Sequence, residues 1–163
     1  MIQRMDEAHQ YVLAMSRENG VKFIRLWFVD ILGNLKGFAI TVEELEDALL
    51  RGVAFDGASI EGFARMEESD MIALPDPTTF RILPWRPKVN SVARMFCDIL
   101  TPDGSPFPGD PRYVLKRNVE RASKLGFNYY VGLELEYFYV EGPLDPHPLD
   151  QGGYFDQSTM DLS

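Results

Sequence analysis

The sequence predicts an α+β fold with a mixed sheet over residues 1–103, followed by the opening of a second, α/β domain over residues 104–163. Three observations predict it. A strand–turn–strand–helix run between Lys22 and Leu49 is followed by further strand-like segments, without the strict strand–helix alternation of a parallel α/β fold. A stretch from Thr101 to Pro111 carries Pro102, Pro106, Pro108 and Pro111 with Gly104 and Gly109, and breaks both periodicities. Beyond it stand one helical pattern, one strand pattern and a loop, which cannot bury their own faces, so the second unit is expected to be incomplete.

Residues 5–19 open the chain as a helix. Ala8, Tyr11, Val12 and Met15 recur at helical spacing, and Asn19-Gly20 supplies the stop. Lys22 to Val29 is rich in β-branched and aromatic residues and reads as a strand. Asp30 to Asn34 is a turn, with Gly33 and Asn34 suited to positive φ, and Leu35 to Ile40 returns as the second strand of a hairpin. Thr41 and Glu44 have the spacing of a capping box, ahead of a short helix whose apolar stripe is Leu45, Ala48 and Leu49 and whose end is Gly52.

Further strands are expected near Ala54-Phe55, Met71–Leu74, Phe80–Leu83 and Val92–Leu100. The span from Asp56 to Asp70 fits neither period, and a long loop in a small domain points to function or disorder. Past the Pro-rich stretch, Asp110 is positioned to cap a helix with Pro111 in its first turn and Val114, Leu115, Val119 and Ala122 as its stripe. Tyr129 to Val140 then reads as a long strand, Gly142 to Gly153 as a loop, and Thr159 to Ser163 as the start of another helix.

Composition narrows the function. Acidic residues outnumber basic ones 25 to 16, for a net charge of −9, and no Lys/Arg cluster appears along the chain, which argues against nucleic-acid binding. An acidic surface suits cation sites. Cys97 is the sole cysteine and lies in an apolar run, so it is expected to be a packed, inert thiol. With no internal disulfide possible, no leader-like apolar run at the start and no membrane-length apolar stretch, the expected location is the cytoplasm. No phosphate-loop or dinucleotide-binding glycine motif is present.

Two segments carry candidate chemistry. On a strand, Glu134 and Glu136 would share a face, roughly 6–7 Å apart. Phe138 and Val140 continue that face, so it is not uniformly polar. The pair reads either as two glutamates on water or as hard oxygen ligands for a divalent cation such as Mg²⁺ or Mn²⁺. The second segment is Phe55-Asp56-Gly57-Ala58-Ser59-Ile60-Glu61-Gly62-Phe63. Its Asp and Ser are either turn formers or part of an acidic loop that offers a carboxylate to a cation, with Glu67, Glu68 and Asp70 adding charge nearby. His9 and His147 lack partners at metal-binding spacing and read as structural or surface residues.

Taken in order, Val29-Asp30-Ile31-Leu32-Gly33-Asn34-Leu35-Lys36-Gly37, the Phe55–Phe63 segment, Glu68-Ser69-Asp70-Met71, Phe96-Cys97-Asp98-Ile99, Gly109-Asp110-Pro111-Arg112, Gly132-Leu133-Glu134-Leu135-Glu136 and Gly152-Gly153-Tyr154-Phe155-Asp156 resemble type I glutamine synthetases over nearly the whole chain. The resemblance implies a β-grasp domain over residues 1–103 and the start of the catalytic domain over residues 104–163. It also implies an ATP-dependent ligation of ammonia to glutamate through γ-glutamyl phosphate, by a homo-oligomer of two hexameric rings.

On the same resemblance Glu134 and Glu136 are ligands of different Mg²⁺ or Mn²⁺ ions, and the ATP pocket lies outside this chain. Asp56 binds ammonium and helps remove its proton, with Ser59 in the same catalytic loop, which reaches the active site of a neighbouring subunit. Asp70 is a further carboxylate near that interface, and Arg65 stands where some members carry an arginine linked to feedback control by glutamine. Many members have proline where Leu133 and Leu135 stand, which leaves open a ligase that uses another amine. A non-catalytic β-grasp interaction module is the remaining alternative. The chain alone is expected to be inactive.

Overall fold

A computed structural model describes residues 6–57 and 70–149, in two compact units that divide between Asn128 and Tyr129.

The first unit begins with α1 (Glu7–Glu18), β1 (Val21–Val29) and β2 (Leu35–Thr41). A single 3-10 turn (Val42–Glu44) leads to α2 (Leu45–Arg51), then β3 (Val53–Asp56) and β4 (Asp70–Pro75). Another 3-10 turn (Pro77–Thr79), β5 (Arg81–Ile82), β6 (Ser91–Leu100) and α3 (Pro111–Lys124) complete it. The strands make one sheet in the order β2-β1-β6-β4-β3. β1 and β6 run parallel at its centre, while β4 and β5 pair with successive halves of one edge of β6.

Local chemistry explains the elements. The buried Asp30 carboxylate accepts the backbone N–H groups of Leu32 and Asn34 and the Asn34 amide, and Gly33 takes φ +86. This cage closes the β1–β2 hairpin at one register, with Val29 opposite Leu35. The expected Thr41–Glu44 capping box is formed, and Asp110 caps α3 by accepting the Arg112 N–H. β6 alternates strictly between buried and half-buried residues, the period-two signature of a strand with one face on the core. That core joins Ile24 and Leu26 of β1, Met95 and Ile99 of β6 and Met71 of β4 to Val12 of α1 and Leu45 and Leu49 of α2.

Several expectations are corrected. α1 buries His9, Val12 and Ser16, and Tyr11 is exposed. The His9 ring sets this face: its Nδ1 meets the Asp6 carboxylate at 2.6 Å, and its Nε2 faces the Leu49 carbonyl of α2. The stripe of α3 is not buried, since Val114, Leu115 and Val119 are exposed. The helix is held by charge instead, with Arg112 bridging Asp76 and Asp98, and Lys116 also on Asp98.

The second unit corrects the long strand expected at Tyr129–Val140. Residues 129–139 form no strand, and only Val140 begins one: β7 (Val140–Gly142) pairs with β8 (Asp145–Pro148), which lies inside the segment expected to be a loop. Alternating side chains make a strand possible, but a ladder needs a neighbour, and among the described residues none pairs with this segment.

Candidate functional site

β3 and β4 bring Asp56 and Asp70 together. The antiparallel register sets Phe55 opposite Met71 and Asp56 opposite Asp70. The two exposed carboxylates therefore begin on Cβ atoms roughly 5 Å apart. Like charges directly opposite in a sheet are destabilising. A cation bound between or beside them would reverse the sign of that term.

β3 is an edge of the sheet, and β2 is the other. The sheet curls so that Phe55 of β3 meets Phe28 and Phe38, with ring centroids 5.1 Å and 5.8 Å away. These rings floor a groove of about 550 Å³ between the two edges, and Lys36, Glu44 and Asp56 stand on its rim. Asp56 is thus presented at the mouth of an aromatic cleft. Phe28 and Phe38 belong to one hairpin, but Phe55 reaches them from the opposite edge of the sheet, and nothing in the local pattern marks it as their neighbour.

Ser59 and Arg65, expected in the loop, lie outside the described residues. Glu134 and Glu136 are exposed and lie in no strand, with Leu133 and Leu135 beside them 87% and 86% exposed. The shared face expected for the two glutamates depended on the strand that is absent. Their oxygen donors suit a hard divalent ion, but two carboxylates supply only part of its coordination. Among the described residues no group of three or more His, Cys, Asp or Glu side chains converges on a metal position.

Cys97, Asp110 and His147 lie apart from these candidate residues. Cys97 is buried in the core, and burial pushes its thiol far above the ordinary value, which makes it the inert thiol expected. Asp110, unmarked in the sequence except as a cap, is buried and also accepts the Ile99 N–H of β6. His147 is exposed beside Asp145.

A curled mixed sheet with a central parallel pair, flanking hairpins and a core covered by α1 and α2 is a β-grasp domain. Residues 20–102 match the β-grasp domain of glutamine synthetases, and the chain belongs to that family. The glutamine synthetase of Mycolicibacterium smegmatis is 52% identical over 98% of this chain and 37% of its own length. That of Methanosarcina mazei is 53% identical over 92% of this chain and 34% of its own length. This chain thus spans about a third of the length of these relatives. Among solved structures, the GmaS/ADP complex superposes with a TM-score of 0.62 at 28% identity, over 70% of this chain and 26% of that one. GmaS without ligand gives 0.63 at 29% identity, over 75% and 27%.

Proposed function

We propose that the chain is the N-terminal part of a cytoplasmic ligase that joins ammonia to glutamate at the expense of ATP, through γ-glutamyl phosphate. Residues 1–103 are its β-grasp domain and residues 104–163 open the catalytic domain. The observation that carries this reading is the Asp56–Asp70 pair across β3 and β4, in a chain of the glutamine synthetase family.

In this reading the Asp56 carboxylate holds the ammonium ion by charge and accepts its proton, leaving a neutral amine with a free lone pair to attack. Asp70 adds negative potential that favours the cation at the same place. Ser59 belongs to the same loop, and Arg65 is the position of feedback by glutamine. The loop serves the site of a neighbouring subunit, in a dodecamer of two hexameric rings. Glu134 and Glu136 each contribute one carboxylate to a Mg²⁺ or Mn²⁺ site, where the ions offset the charge of the phosphoryl groups and of glutamate.

The test compares two proteins in an assay of glutamine formation from ATP, glutamate and ammonium. The full-length protein forms glutamine only with a divalent ion present, and the 163-residue chain forms none. Glutamine made by the chain alone, or by the full-length protein without a divalent ion, would refute the reading.

A further inference from the structure

The sheet has a second face, turned away from the helices that cover the core. Strand register sets Ala39, Arg25, Arg94 and Arg81 in one row across β2, β1, β6 and β5. The row before it holds Thr41, Phe23 and Val92, and the row after it Gly37, Trp27 and Phe96. The carboxylates that border this face, Asp76 beside Phe96 and Asp98 further along β6, are engaged by Arg112 and Lys116 of α3 rather than by these arginines.

Arg94 is fixed in place. Its Nη1 donates to the Thr79 carbonyl, and its guanidinium lies 4.8 Å from the centre of the Phe96 ring and 5.7 Å from that of Trp27. Arg81 donates through Nη1 to the Phe80 carbonyl, 2.6 Å away. Among the described residues, none of the three arginines forms an ion pair. Burial lowers Arg94 below its ordinary value, and the Arg81 charge lowers it further. This concentration of uncompensated positive charge belongs to a chain of net charge −9, so it is not the by-product of a basic sequence. It was invisible along the chain because the three residues come from three strands.

A guanidinium oriented in advance by two rings and a carbonyl keeps its remaining N–H groups as a fork for a planar oxyanion. A second guanidinium one strand away, roughly 5 Å by sheet spacing, provides for a further anionic group. We propose that Arg25, Arg81 and Arg94 form a site for a small multivalent oxyanion, bearing phosphoryl or carboxylate groups, on the outer face of the β-grasp sheet. The site is separate from the Asp56–Asp70 loop, and the proposal stands or falls independently of the ligase reading.

The probes are inorganic tripolyphosphate and citrate, titrated into the 163-residue chain at constant ionic strength. Binding is followed by calorimetry and, in the Trp85→Phe variant, by the fluorescence of Trp27, then the sole tryptophan. Saturable binding with a Kd on the order of 1 mM or tighter is expected, and a ~tenfold or greater loss in Arg81→Gln and in Arg94→Gln. Lys124→Gln, on α3, serves as the unaffected control. Arg81→Gln leaves the contacts of Arg94 in place, so its loss of binding cannot be assigned to unfolding. The tighter of the two probes identifies the group as phosphoryl or carboxylate. Binding that fails to saturate, or that is equal in the two arginine variants and the parent, overturns the proposal.

Discussion

Asp56 and Asp70 face each other across the β3–β4 pair, two exposed carboxylates in direct register. A sheet built only for stability would not oppose like charges there. The arrangement therefore predicts a conflict between stability and activity. Asp70→Asn should raise the urea midpoint of the chain while weakening ammonium use by the full-length protein. A lower midpoint would show that the pair is not repulsive.

The docking of α3 rests on ions rather than on its apolar stripe. Arg112→Met removes the bridge to Asp76 and Asp98 and is expected to cost about 1–2 kcal/mol in urea unfolding. Loss of less than a few tenths would mean that the bridge is only a surface ornament.

Two aspartates beside that bridge respond to acid in opposite senses. Burial works to raise Asp76, but the Arg112 guanidinium and the Thr78 hydroxyl and N–H outweigh it and hold the carboxyl below its ordinary 3.8. Its stabilising contribution is complete above 3.8 and is lost as pH falls through the lower folded value. For Asp110 burial outweighs the Ile99 and Arg112 N–H groups and holds the carboxyl above 3.8. The folded state then binds that proton more tightly, so Asp110 adds stability as pH falls through its folded value towards 3.8. Between about pH 5 and about pH 3, Asp76→Asn should lose stability more gently than the parent and Asp110→Asn more steeply. Parallel pH profiles for all three proteins would contradict both assignments.

Gly52 ends α2 at φ +73 and ψ −177, a conformation reserved for glycine. A Cβ there would also collide with the Ile72 side chain and crowd the Ala73 carbonyl. Gly52→Ala is expected to cost about 1–3 kcal/mol, read from the unfolding midpoint. An unchanged midpoint would show that β3 and β4 shift freely around α2.

Glu134 and Glu136 are exposed outside any strand, so the 163-residue chain should bind Mn²⁺ no tighter than about 1 mM. Calorimetry checks this, with the Glu134→Gln/Glu136→Gln double variant as reference. Micromolar binding that the double variant abolishes would mean that the metal strand is already formed here.

Most of the first unit was legible because its signals are local. The Asp30–Asn34 turn, the Thr41–Glu44 box, the Asp110 cap and the alternation along β6 each act within a few residues. The face of α1 was misread because His9 is polar and counted as non-core, yet its ring is satisfied by Asp6 and Leu49. The strand at Tyr129–Val140 was misread because alternation reports which side chains would share a face, not whether a partner strand exists. The candidate site divides the same way: Asp56 and its segment stood out by composition, whereas its alignment with Asp70, the approach of Phe55 to the Phe28–Phe38 hairpin, and the arginine row all depend on how distant segments meet in the sheet.

The most direct test of the central claim is the ammonium dependence of glutamine formation by full-length protein carrying Asp56→Asn. The account predicts that kcat/KM for ammonium falls on the order of a hundredfold or more, while the ATP dependence changes little. An unaltered kcat/KM for ammonium in that variant would contradict it.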